Sequence, residues 1–268
     1  MDDSSTVSTR WVKYLTRELL PRHPGEQSVY DRFTRIPGAS QEALRRARIV
    51  MIGCGGLGSE IGHGLIRKGI GELHMFDHDS VELSNLARQK FGEEDLGHNK
   101  ALCLARNLAR EATGRSLITG HATTFQEAVE QGRNTRCSVA IVGVDNDLTR
   151  VYAARHYFLR RIPVIFTAVD RNACRGYVFV QKSRPGTPCF LCLFPDAEEN
   201  RGVEGCAGAA IDILKVVAGI VVYTVDTLLM SRPRTWNYKE VHLDSGQDGH
   251  YVVRQREQCP LCGREKLV

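Results

Sequence analysis

The chain has 268 residues, 42% apolar and 25% charged, a globular balance with enough length to bury a core without disulfide staples. Its net charge of +5, from 36 Lys and Arg against 31 Asp and Glu, allows an anionic ligand but gives no reason to expect nucleic acid. The first 30 residues lack the apolar run of an export signal, and the most apolar stretch, 216–230, is broken by Asp226 and preceded by Lys215, so no bilayer span is expected.

Residues 1–25 are polar and end in PRHPGE, which predicts a short helix and then a loop. Residues 1–29 read as an N-terminal extension to a single domain over 30–268. From Arg48 onward, short β-rich runs alternate with helical stretches. RIVMIG (48–53) reads as a strand and 57–68 as a helix. ELHMFD (72–77) is a second strand, followed by a helix over 100–111 and strand character at SLITG (116–120). SVAIVG (138–143) and IPVIFTAV (162–169) read as strands around a helix at 148–160. This alternation, with strands so apolar, predicts an α/β fold: a Rossmann-like, mainly parallel sheet covered by helices on both faces. Further on, YVFVQ (177–181), a helix over 210–229, and strands at 236–244 and 249–257 predict an antiparallel extension of the same sheet. The nucleotide-binding core is expected over about 46–182, with a cysteine-rich region over about 183–268.

The segment MIGCGGLG (51–58) follows a strand and opens a helix, the context a dinucleotide fingerprint requires. Gly53 suits the tight turn, Gly55 and Gly56 leave room for a phosphate, and Gly58 lets helix and strand approach. Asp77 ends the next strand, where a carboxylate accepts ribose hydroxyls. Glycines alone do not separate NAD from ATP. Asp79 is followed by SVELSNLARQ, which contains Asn85, Arg88 and Gln89. Lys100 opens the next helix, and GVDND supplies Asp145 and Asn146. A nicotinamide needs apolar walls. A triphosphate needs several cations and a carboxylate for magnesium, and Arg88, Lys100 and Asp145 supply them at the C-terminal ends of neighbouring strands.

GCGGLG, FDHDSVELSNLARQ, the lysine after GHN and VGVDNDLTR together resemble the ThiF/MoeB/HesA family of adenylyltransferases, relatives of the ubiquitin-activating enzymes. The resemblance runs from about Tyr30 to Cys262. It implies that Asp77 binds the ribose, that Asn85, Arg88 and Lys100 contact phosphates, and that Asp145 holds magnesium. Gln89 belongs to the same motif. It also implies a homodimer in which an arginine of a Tyr-x-Arg segment enters the partner's site. Here that is Arg32 of Tyr30-Asp31-Arg32, with Arg35 as competitor.

Nine cysteines in a chain without an export signal point to thiols or a metal in a cytoplasmic setting rather than to disulfides. Two C-x-x-C pairs, Cys189/Cys192 and Cys259/Cys262, supply four thiolates, the set for a tetrahedral structural zinc site tying distant segments together. Cys206 lies in a polar, glycine-containing stretch ahead of the apolar helix, where a thiol is either a nucleophile or a structural group. The chemistry implied is adenylation of the C-terminal Gly-Gly carboxylate of a ubiquitin-like β-grasp protein. Transfer follows either to a thiol, on the way to a conjugating enzyme, or to sulfur supplied by a sulfurtransferase. The competing readings are an enzyme adenylating a non-protein or tRNA-borne carboxylate, a non-catalytic scaffold of the same fold, and an NAD oxidoreductase.

Overall fold

The computed structural model describes residues 10–199 and 210–263. In chain order the elements are β1 (Trp11–Leu15), α1 (Asp31–Thr34), α2 (Gln41–Arg46), β2 (Arg48–Ile52), α3 (Gly56–Arg67), β3 (Glu72–Phe76), α4 (Lys100–Glu111), β4 (Leu117–His121) and α5 (Phe125–Glu130). These are followed by β5 (Val139–Val142), α6 (Asp147–Leu159), β6 (Val164–Val169), β7 (Arg175–Gln181), α7 (Phe190–Leu193), α8 (Ile211–Leu229), β8 (Tyr238–His242) and β9 (Gly249–Tyr251).

All the strands join one sheet in the order β1-β4-β3-β2-β5-β6-β7-β8-β9. The central five, β4 to β6, are parallel, and both flanks are antiparallel. The chain builds outward from β2 through β3 to β4, then returns to the other side of β2 with β5. That reversal is the switch point at which open α/β sheets bind ligands. Alternation along β2 divides the core by face. Ile49 and Met51 pack with α3, α4 and α8 on one side. Val50 and Ile52 pack with α5, α6 and the cysteine pairs on the other. No helix among the described residues is long and apolar enough to cross a membrane.

The expected α/β architecture is the one observed; α1, α2 and α7 are short helices where no element was expected, and three further local differences stand out. The N-terminal segment carries β1 rather than a short helix, and no helix precedes α1 among the described residues. In WVKYL, Trp11, Lys13 and Leu15 face out while Val12 and Tyr14 lean on the core, a period of two that pairs Trp11–Leu15 with His121–Leu117. The last strand ends at Tyr251 instead of 257. Beyond it the Asn237 side chain takes over the ladder, accepting from the Val253 N–H (2.7 Å) and donating to the Val253 carbonyl (2.9 Å). Finally, α5 forms where no element was expected. Its capping box, Thr124 accepting from Glu127 N–H and Glu127 from Thr124 N–H, is written in the sequence as T-F-Q-E.

Candidate active site

The C-terminal ends of β2, β3, β5 and β6 enclose a cavity of about 260 Å³. The glycine turn forms its floor. Gly53 sits at φ +97°, and a Cβ there would meet the Gly143 carbonyl oxygen at 2.8 Å. A Cβ on Gly58 would overlap the Gly53 carbonyl oxygen, so strand and helix close on each other only with glycine at both places. Gly55 borders open space, as room for a ligand requires. Gly56 also lines the cavity, and a Cβ there would meet the end of the Leu214 side chain of α8 at 2.7 Å.

Asp77 closes β3. One of its carboxylate oxygens accepts the Cys54 N–H at 2.6 Å, and the other accepts the Asp79 N–H at 2.9 Å. Burial raises the Asp77 carboxyl above its ordinary range, although those two N–H donors pull the other way. Asn99 caps α4 by accepting from Leu102 N–H (3.1 Å). It also donates to the carbonyls of Asp77 and Asp79, at 3.0 and 3.1 Å. The loop after β3 is thereby stitched to the start of α4, where Lys100 meets the Asp79 carboxylate at 2.9 Å. Burial pulls the Lys100 ammonium down. The Asp79 hydrogen bond and the Asp77 charge more than offset this, leaving it above its usual value and charged at neutral pH.

Asn85 is buried, and its side-chain oxygen accepts the Glu82 N–H (3.1 Å), fixing the turn that presents Arg88 and Gln89. The Gln89 side-chain oxygen is buried without a hydrogen-bond partner among the described residues. Across the cavity, Asn146 caps α6 by accepting from Thr149 N–H (2.8 Å), and Asp145 stands exposed just ahead of it. Gly53, Gly55, Gly56, Asp77, Asp79, Asn85, Arg88, Gln89, Lys100, Asp145 and Asn146 all line this one cavity. Gly58 does not line it and serves the packing beneath. Arg32 and Arg35 are not among the lining residues of their own chain. Arg35 is held by Asp31 (2.7 Å) and Gln27 (2.9 Å), whereas Arg32 is exposed and in no ion pair among the described residues.

Sequence reasoning passed over Arg150. It donates to the Val144 carbonyl (2.6 Å) and to Asp147 (2.8 Å), bracing the loop that carries Asp145. Its position at the end of VGVDNDLTR was the available signal. Thr124, Gln126 and Leu214 also line the cavity without having been anticipated.

The two C-x-x-C pairs come together as read. Cys189 lies 3.4 Å from Cys259 and 4.0 Å from Cys192, while Cys192 lies 3.3 Å from Cys262, sulfur to sulfur. All four are buried, with their sulfurs within 4.8 Å of one another. Ideal tetrahedral zinc, with bonds of about 2.3 Å, places sulfurs about 3.8 Å apart, so the donor set and its spacing fit the ion. Cys206 lies outside the described residues.

Residues 29–261 match the ThiF family. The sulfur carrier protein adenylyltransferase of Thermus thermophilus is 29% identical over 274 residues, spanning 96% of this chain and 94% of that one. The SAMP-activating enzyme E1 of Haloferax volcanii is 28% identical over 249 residues, spanning 87% and 88%. The mouse adenylyltransferase and sulfurtransferase MOCS3 is 28% identical over 237 residues, 85% of this chain but 50% of that one, so the chain spans about half the length of this relative. Among solved structures, the E. coli MccB complex with ATP superposes with a TM-score of 0.76 over 90% of this chain and 75% of that chain; at 19% identity this likeness speaks to the fold.

Proposed function

This chain belongs to the ThiF family, and we propose that it uses ATP to adenylate the C-terminal carboxylate of a small ubiquitin-like or sulfur-carrier protein. The observation that carries the reading is the convergence of Arg88, Lys100, Asp77 and Asp145 on one cavity over the glycine turn, at the sheet's switch point. Near full-length similarity to a sulfur carrier protein adenylyltransferase supports it.

In this reading the triphosphate lies over the turn, with Asp77 toward the ribose. The substrate carboxylate is already an anion, so no general base is needed. One of its oxygens attacks the α-phosphorus as the bond to the bridging oxygen breaks, and pyrophosphate leaves with the electron pair. Arg88 and Lys100 offset the charge that builds on the phosphoryl oxygens. Asp145 is exposed at the cavity's edge and unpaired among the described residues, which suits it to hold magnesium. Magnesium there would neutralise triphosphate charge. The buried, unpartnered oxygen of Gln89 is an acceptor for a hydroxyl or amino group of the nucleotide. Arg32 is assigned to the partner's cavity in a homodimer, since it is free while Arg35 is engaged. Zinc on Cys189, Cys192, Cys259 and Cys262 is assigned a structural role. The eight described cysteines are all free of disulfides, which accords with a cytoplasmic setting. Thiol transfer and sulfur transfer both start from the same acyl-adenylate, and Cys206 is the thiol to test for the first.

The test is ATP–pyrophosphate exchange stimulated by a protein with a C-terminal diglycine. Exchange is expected with the native chain and should be lost in Asp145→Ala with folding retained. Absence of exchange with every diglycine-tailed partner tried would refute the proposal.

A further inference from the structure

A second concave site lies at the other end of the sheet. The nucleotide cavity is bordered by Thr167–Val169, where β6 ends, and the second by Pro163, just before β6 begins. Along the strand these are about 16 Å apart. The second cavity encloses about 710 Å³, within the range of small-molecule sites, roughly 300–1,000 Å³.

Its charge is one-sided. Arg161, Lys182, Arg184, Arg232, Arg234 and Arg254 line it, and among the described residues no Asp or Glu does. The whole chain carries a net charge of only +5, so the remainder of the molecule is close to neutral. Eleven Lys or Arg ion pairs are formed elsewhere among the described residues, and none of these six cations takes part in one. Arg232 turns its guanidinium towards the Tyr223 ring (6.0 Å), which lies outside this lining; holding the other five like charges around one concavity is unfavourable unless an anion joins them.

The site is also built, rather than being a chance crowding of surface arms. Arg234 is half-buried and fixed. Its Nε donates to the Trp236 carbonyl at 2.7 Å, a terminal nitrogen donates to the Thr227 hydroxyl at 2.8 Å, and its guanidinium lies 4.8 Å from the centre of the Trp236 ring. Such a guanidinium presents its remaining donors in a set direction. The other cations come from three further segments, and the backbone is bent to bring them in. Four non-glycine residues have positive φ among the described residues. Arg161 (+56°) and Ser231 (+51°) are lining residues, and Ser183 (+54°) separates Lys182 from Arg184.

We propose that this cavity binds a multiply phosphorylated small molecule, separately from the ATP of the nucleotide cavity. Phosphate oxygens match guanidinium forks, several phosphates are needed to satisfy five cations, and a concavity of this size holds a compact ligand. The site stands independently of the adenylation reading, because binding is measured without turnover.

The chain has two tryptophans, Trp11 and Trp236, so a Trp11→Phe protein reports from Trp236 alone. Titration of inorganic triphosphate at 0.15 M salt is expected to change its emission saturably. The triple variant K182E/R184E/R254E alters only exposed side chains and is expected to bind at least about tenfold more weakly with an unchanged melting temperature. Should that variant melt early, Arg184→Gln alone is expected to weaken binding by about threefold. ATP is titrated in parallel. Tighter binding than triphosphate identifies a nucleoside polyphosphate, equal binding identifies the phosphates alone as the recognised chemistry, and both uphold the site. A flat titration, or equal affinity in the charge-altered variant, overturns the proposal. So does a short RNA that displaces triphosphate at lower concentration, since the groove would then be a nucleic-acid surface.

Discussion

Replacing Cys259 and Cys262 together by serine removes half of the four-sulfur cluster, and the effect on stability follows from what that cluster spans. A metal bridging Cys189 and Cys259 closes a loop of 70 residues. Treated as a cross-link on the unfolded chain, a loop of that length is worth about 4 kcal/mol of chain entropy. For 268 residues the entropy of unfolding near the midpoint is on the order of 0.56 kcal/mol per kelvin, which converts that figure into a fall of about 7 °C. The paired assays are zinc content per chain by elemental analysis and thermal melting, with the native protein also melted after exhaustive chelation. The chelated protein and the serine variant should melt at similar temperatures, both well below the native one. A native protein without zinc in near one-to-one ratio would refute the reasoning, as would a serine variant melting within about 2 °C of native.

Three other outcomes are expected. Gly58→Ala forces a methyl group into the Gly53 carbonyl and should cost about 3 kcal/mol along with nucleotide affinity; Gly55→Ala, facing open space, should leave the melting temperature unchanged while weakening ATP binding, and equal melting temperatures for the two would contradict the assignment. Burial, with the Arg160 charge, holds the His156 imidazolium down to about 4. The unfolded chain therefore takes up this proton below about pH 6.5 while the fold does not, and stability should decline from there towards pH 4; His156→Gln should flatten that slope, although His121, also held at about 4 by burial and Arg133, keeps part of it, and an unchanged slope would remove His156 from the account. Mixing Arg32→Ala with Asp145→Ala protein should restore exchange to about a quarter of native, the statistical share for one good cavity per mixed dimer; no recovery would place Arg32 outside the partner's site.

Much of the frame was legible because its signals are local. The strand at 48–52, the turn after it and the helix from 56 all lie within twenty residues, and each carries its own pattern. The four-cysteine cluster was legible from spacing, since two C-x-x-C pairs have few other uses. What could not be read depends on partners far away in the chain. β1 is a strand because Trp11 finds His121, and nothing within WVKYL announces that pairing. Gly56 also packs against Leu214, more than 150 residues later, a contact its neighbours in the chain do not suggest. Arg150 braces the Asp145 loop through contacts that become visible only once α6 is placed. The basic cavity draws its cations from four segments, none of which is remarkable for charge on its own.

Gln181, at the end of β7, is wholly buried. Its side chain donates to the Ala154 carbonyl of α6 (2.9 Å) and accepts the Phe190 N–H of the first cysteine knuckle (3.0 Å). One amide thus joins the helix that begins at the glycine-turn cavity to the segment that carries the first cysteine pair. A fragment ending at residue 182 would retain all the glycines at 53–58 and the cavity cations Arg88, Lys100 and Arg150. It would also strand the Gln181 acceptor, uncover the Phe166–Phe190 ring contact and open β7 as a bare hydrophobic edge. A fragment ending there is therefore expected not to fold by itself, and removal of a metal bound at the four cysteines should be felt in ATP affinity as well as in melting.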